Sequence, residues 1–208
     1  MNNNELKIGL FYGSTTCYTE MAAEKIQVKI NQLTGNTCVE LFNIKDVSLT
    51  QAQSFDTLIF GISTWDFGEL QEDWESTWQN IAGLNLTDKT VAIFGLGDQL
   101  GYAEWFQDAV GMLHDELLVL GCDLIGYWPN KGYEFIASKA LTEDKGFFVG
   151  LCPDDANQYD LTDELINHGY NYLIAKIDLF YSSPCQPPTP EYTNLTTLMV
   201  PLIEIDPL

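Results

Sequence analysis

Apolar residues along most of this chain arrive in two alternating rhythms. Leu6 to Tyr12, Asp56 to Ile62 and Thr90 to Gly95 are short, mostly apolar runs with no polar face, which predicts buried strands of a parallel sheet. Between them the period lengthens. Ala22, Ile26, Ile30 and Leu33 recur at spacings of four, four and three, which predicts a helix ended by Gly35. Trp74, Trp78 and Ile81 mark one face of a second helix. Phe106, Val110, Leu113, Leu117 and Leu120 mark the clearest one, which Gly121 ends, and Ile166, Tyr170, Leu173, Ile177 and Phe180 mark the last. Cys38 to Phe42 alternates, as suits a less buried strand, while Cys122 to Gly126 and Phe147 to Leu151 also read as strand.

Strands alternating with helices imply right-handed crossovers, hence an α/β/α sandwich with a parallel sheet between two helical layers. Five such units fit the strand order 2-1-3-4-5, whose ligand crevice lies at the carboxyl ends of strands one and three. Residues 128–145 have no helical period and are expected to interrupt the fifth strand. After Tyr181 the composition shifts: prolines 184, 187, 188, 190, 201 and 207 crowd a stretch that cannot be regular structure at 184–190. The expected organisation is one domain over 1–181 and a Pro-rich extension over 182–208. The segment Leu195 to Ile205 could dock on the domain, pair with an edge strand or stay unfolded. Leu198, Met199, Val200, Leu202 and Ile203 would be poor residues to leave in water, which favours docking.

Charge narrows the function further. Thirty acidic residues against nine lysines give a net charge of −21, which argues against nucleic acid or an anionic membrane as partner and favours basic proteins steered by charge. The N-terminal residues contain no apolar signal region and no run approaches the length of a membrane span, so a cytoplasmic protein is expected. Five scattered cysteines, Cys17, Cys38, Cys122, Cys152 and Cys185, form no Cys-x-x-Cys pair, and His114 and His168 have no ligand-like neighbours. Neither a disulfide framework nor a zinc site is indicated. No nucleophile–base constellation points to hydrolysis.

The candidate chemistry lies in three loops, each following the carboxyl end of a predicted strand. Gly13 to Thr19 offers backbone N–H groups and the hydroxyls of Ser14, Thr15, Thr16 and Thr19 at the start of a helix, where an anion is stabilised. Taken alone, the same stretch is also an ordinary helix cap. The loops Ser63–Gly68 and Leu96–Tyr102 each bring an aromatic, Trp65 and Tyr102, towards the same crevice. A phosphate cradle beside two aromatics suits a mononucleotide with a flat conjugated ring.

These loops resemble those of the flavodoxins, and the match extends over nearly all of residues 6–180. Ser-Thr-Thr-x-x-Thr at 14–19 is similar to the family's FMN phosphate loop, Thr-Trp-x-x-Gly-Glu-x-Gln-x-Asp-Trp at 64–74 to its second flavin loop, and Gly-Leu-Gly-Asp-Gln-x-Gly-Tyr at 95–102 to its third. Tyr-Trp-Pro and Gly-Tyr-Glu-Phe, with Phe-Val-Gly-Leu and Asn-Gln-x-Asp-Leu-Thr, resemble the long-chain subgroup, whose fifth strand is split by an insertion. The combinations Cys-Tyr-Thr-Glu-Met-Ala-Ala-Glu-Lys-Ile and Gly-Tyr-Ala-Glu-Trp-Phe are most similar to the second bacterial type, flavodoxin B. The resemblance implies a flavodoxin-like fold and residue roles by position. Ser14, Thr15, Thr16 and Thr19, with the backbone of Cys17 and Tyr18, would hold the FMN phosphate. Thr64, beside Ser63, would sit near the phosphate and ribityl chain, and Asp154 near the ribityl hydroxyls. Trp65 would cover one ring face and Tyr102 the other. The backbone around Leu96, Gly97 and Asp98 would meet the pyrimidine edge. The Asp66–Phe67 peptide, before Gly68, would face flavin N5 and stabilise a neutral semiquinone.

That implies a low-potential one-electron carrier and not an enzyme, served by basic partners such as an NADPH-dependent flavodoxin reductase. The acidic rim Glu69, Glu72, Asp73 and Glu75 would dock them and disfavour an anionic reduced ring. A monomer is expected. A quinone reductase of the same fold is the alternative, and it needs an open pocket above the ring, which Trp65 and Tyr102 would cover. A cofactor-free signalling domain would need an acidic cluster and a lysine where the hydroxyl loop stands. Three positions depart from the usual family loop: Cys17 and Tyr18 stand where Gly and Asn are commonest, and Asp66 occupies a turn position where positive φ favours Gly or Asn. Cys17 reads as a small structural residue, because a neighbouring phosphate would oppose its thiolate.

Overall fold

The computed structural model describes residues 6–158, Leu165 and Ile166. The expectations for residues 1–5, for most of the last helix with His168, for Cys185 and for the 182–208 extension lie outside the described residues.

Five strands run parallel. β1 (Ile8–Tyr12) is buried along its whole length and lies between β2 (Val39–Asn43) and β3 (Thr57–Trp65). β3 pairs next with β5 (Thr90–Leu96), and β5 with β6 (Asp123–Ile125). Between β3 and β5, the two-residue β4 (Glu69–Leu70) folds back antiparallel on the end of β3. Counting the parallel strands alone, the order is the expected 2-1-3-4-5. The split of the fifth strand is equally plain. After β6 the chain leaves the sheet and forms a small antiparallel pair, β7 (Trp128–Pro129) with β8 (Phe147–Phe148). It returns at Leu151, which bridges to Phe94; its N–H donates to the Ile93 carbonyl and its carbonyl accepts from the Gly95 N–H, both at 2.9 Å.

Alternation along β1 sends successive side chains into two cores. Ile8, Leu10 and Tyr12 meet Ala22, Ile26 and Ile30 of helix α1 (Tyr18–Thr34), while Phe11 joins Phe60, Trp74, Val110 and Leu113 on the other side. Each fully buried Ile or Phe contributes about 1.5–3 kcal/mol relative to exposure, so both layers are held by ordinary apolar burial. Gly35 ends α1 in the left-handed conformation, as its position predicts.

The helices depart from the sequence pattern in three places. Leu33 is 41% exposed, because the last turn of α1 leads into a reversal in which Asn31 Oδ1 accepts from the N–H groups of Cys38 and Val39. Trp74, Trp78 and Ile81 do not share one helix. α2 (Glu72–Thr77) stops where the Thr77 hydroxyl bonds back to the Asp73 carbonyl, and a 3₁₀ turn over 78–83 carries Ile81 into the core. Phe106, although 1% exposed, precedes α3 (Asp108–Leu118), because Gln107 takes a left-handed φ of 61°.

Candidate functional site

The three loops leave β1, β3 and β5 at the same end of the sheet. Gly13 passes so close to the second loop that a Cβ there would lie 2.2 Å from Gln71 Oε1 and 2.8 Å from Trp74 Cδ1, so no larger residue fits. Gln71 is wholly buried. Its Oε1 caps α2 through the Trp74 N–H, and its Nε2 donates to Thr15 Oγ1 (2.9 Å) and Asp73 Oδ2 (2.7 Å). Loops one and two are thus pinned together by one side chain. The second loop also meets the chain that follows loop three: the Phe67 ring stands edge-on to Trp105, with centroids 5.1 Å apart, and Thr64 Oγ1 accepts from the Ala109 N–H of α3 at 3.1 Å.

Within the first loop, Cys17 holds φ 68° and turns the chain into α1 without capping it by its side chain. Among the described residues, no protein acceptor faces the backbone N–H of Thr15, Thr16, Cys17, Tyr18 or Thr19. These are the orphan donors of a helix start, at the positive end of its dipole. The hydroxyls around them each have a lone pair engaged by the protein. Ser14 Oγ accepts from the Glu20 N–H (3.4 Å), Thr15 Oγ1 from Gln71, Thr64 Oγ1 from Ala109 and Ser63 Oγ from the Trp65 indole (3.1 Å). A hydroxyl whose lone pair is engaged in this way still has its proton to give. The donor set therefore fits an anion such as a phosphate, with neither lysine nor arginine in the loops to assist. Behind the loop, burial and then Glu20 push the Tyr12 phenol far above its usual pKa, so it stays a donor to Glu20 Oε1 at 3.0 Å.

The second loop is a tight turn. Asp66 has φ 41°, Gly68 has φ 87°, and the Gly68 N–H returns to the Trp65 carbonyl at 3.1 Å. Asp66 thus occupies the positive-φ position that its place in the sequence predicts. Phe67 is 69% exposed at the tip, and Glu69, Glu72 and Glu75 are exposed beside it. In the third loop, Asp98 Oδ1 accepts from the N–H groups of Leu100 (3.1 Å) and Gly101 (2.7 Å) and from Asn157 Nδ2 (2.7 Å). Burial raises its pKa, but these bonds prevail and hold it below the ordinary value. Tyr102 is 46% exposed on the same loop, and Trp65 is half-buried at the end of β3.

Asp154 lies behind the third loop and not at the surface. Its carboxylate is 0% exposed and accepts from the N–H groups of Gln99, Ala156 and Asn157 and from the Asn157 amide. It ties the segment after Leu151 to loop three. Sequence reading missed Gln71, Trp105 and the Asp108–Lys139 pair. A Gln just before an acidic first turn is a weak capping signal for the first; the others have no local signal, since their partners are far away in the chain.

The flavodoxin family model matches residues 10–169. Flavodoxin 2 of Escherichia coli is 56% identical over 177 residues, which covers 85% of this chain and all of that protein. Flavodoxin 2 of Salmonella typhi is 50% identical over the same coverage. Among solved structures, a mutant flavodoxin of Fusobacterium nucleatum bound to flavin mononucleotide superposes with a TM-score of 0.75 at 25% identity, covering 82% of this chain and 96% of that one.

Proposed function

This chain belongs to the flavodoxin family, and from that premise we propose that it carries electrons one at a time between redox proteins on non-covalently bound FMN. The observation that carries the reading is the row of N–H donors from Thr15 to Thr19 that have no protein acceptor among the described residues, in a loop exposed from Thr15 to Tyr18 and pinned to the second loop by Gln71. When bound, FMN supplies a conjugated ring that accepts and releases single electrons at low potential. Those N–H groups, with the hydroxyls of Ser14, Thr15, Thr16 and Thr19, would hold its phosphate; Ser63 and Thr64 supply further hydroxyl donors nearby. Trp65 and Tyr102 would contact the ring. The turn of Asp66, Phe67 and Gly68 would lie beside it, and the backbone of Leu96, Gly97 and Asp98 would lie along its edge. Asp154 would act as a brace for loop three.

The rim of Glu69, Glu72, Asp73 and Glu75 raises the local negative potential. It opposes further negative charge at the site and attracts basic partners such as an NADPH-dependent reductase. A monomer working in the cytoplasm fits this role, and no helix among the described residues is long and apolar enough to cross a membrane. The test is to remove and restore FMN in purified protein, then titrate it with reductant while recording absorbance. Tight rebinding and two separate one-electron steps are expected. Failure to bind FMN, or rapid NAD(P)H:quinone turnover with a single two-electron step, would overturn the reading.

A further inference from the structure

We infer that Asp108 and Lys139 form a charge-compensated latch through which the 128–145 excursion fixes the Asp66–Gly68 turn and sets the charge behind it. Both are positioning residues. The redox half of the inference rests on the flavin reading above; the bracing half rests on the fold alone.

The geometry is specific. Asp108, the first residue of α3, has a side chain that is only 4% exposed. A Cβ at Gly68 would lie 2.8 Å from its Oδ2 and 3.0 Å from Trp105 Cδ1, so the carboxylate and the indole together form the floor under the turn. The other side of the carboxylate is held by the excursion: the Lys139 N–H donates to Oδ1 at 2.8 Å, and Lys139 Nζ lies 3.0 Å from Oδ2. Backbone packing helps to set where Lys139 stands. A Cβ at Gly111 would lie 2.2 Å from the Lys139 carbonyl oxygen and 2.7 Å from the Ala140 nitrogen, so the excursion rests directly on the α3 backbone. The N–H groups of Ile136 and Ala137 both reach the Ala103 carbonyl, which ties the same segment to the stretch after loop three.

A nearly buried carboxylate without a counter-charge is costly, so the lysine matters even though its own side chain is 58% exposed. The pair leaves the surroundings of the turn neutral at this point, in a rim otherwise crowded with acids. Removing one partner or the other should therefore push the ring's reduction in opposite directions. Lys139→Met leaves the Asp108 charge uncompensated and makes added electrons less welcome, while Asp108→Asn leaves a cation and does the reverse. A merely structural role predicts no such reversal of sign.

The experiment has two arms. In the apoprotein, amide exchange at Gly68, whose N–H bonds to the Trp65 carbonyl, is expected to speed up roughly tenfold in Lys139→Met, and to stay unchanged in Lys131→Met, which removes the same charge from the excursion away from Asp108. In the FMN-loaded protein, the midpoint potential is expected to move negative in Lys139→Met, positive in Asp108→Asn, and back towards wild type in the double variant. Lys131→Met should shift it less than Lys139→Met does. Unchanged exchange at Gly68 overturns the brace. Potential shifts of the same sign in the two single variants, or none, overturn the electrostatic half while leaving the flavin reading intact. If the unmodified protein bound no FMN, the carrier reading and the redox half would fall together, and exchange would still decide the brace.

Discussion

Hydroxyl chemistry at the mouth of the site depends on which lone pairs are already taken. Thr15 accepts from Gln71, so its proton is available to an anion, and Thr15→Val removes that donor at nearly constant volume. The expected result is FMN binding weakened roughly tenfold, the equivalent of about 1.4 kcal/mol, read by quenching of flavin fluorescence on titration into the apoprotein. Gly68 meets two constraints at once, a φ of 87° and contact with Asp108 and Trp105. Gly68→Ala is expected to destabilise the apoprotein by about 1–3 kcal/mol, measured by urea denaturation. Asp98 supplies a pH signature. Its folded-state pKa lies below the ordinary value of 3.8, so its contribution is complete above that value and is lost as pH falls through the lower one. Replacing it with Asn should lower stability near neutral pH, and the difference from wild type should shrink as pH falls through 3.8 and below. At this scale Ser14, Thr15 and Asp66 were legible in the sequence, because hydroxyls before a helix and a turn needing positive φ are local signals. The burial of Asp154 was not, since it depends on Gln99, 55 residues away in the chain, closing over it.

Elements show the same division between near and far. The buried strands were legible because β1, β3 and β5 are covered on both faces and so read as unbroken apolar runs. Helix ends were less so. Thr77 bonding back to Asp73 stops α2 early, and the left-handed Gln107 delays α3 past Phe106, both through contacts or conformations that periodicity does not encode. α2 itself matters beyond its six residues, because its cap, Gln71, also joins loops one and two. Gln71→Ala removes a cap worth about 1 kcal/mol and frees Thr15 at the same time. Stability and FMN affinity should therefore fall together in this variant. In Thr77→Val, which disturbs only the far end of α2, stability alone should change. Paired urea and flavin titrations would separate the two.

At the scale of the whole molecule, a net charge of −21 acts against compactness and in favour of encounter with cations. Raising salt from about 20 to 300 mM should raise the melting temperature by screening self-repulsion, while slowing association with a basic redox partner, measured by stopped flow. A third consequence concerns the order in which the chain assembles. The fifth lane of the sheet is laid in two instalments, β6 first and Leu151 only after the excursion, so Phe94, already paired with Gly61, must wait for a residue far along the chain before it gains its second neighbour. During synthesis the chain emerges from its N-terminus, so this closure comes after the other four strands are available to pair. The segment closing last also carries Lys139 to Asp108 and Asp154 to Gln99, so a newly made chain acquires its sheet before its site. Ribosome-bound or nicked chains ending before Leu151 would then be structured yet unable to retain their ligand, a quality checkpoint written into the topology.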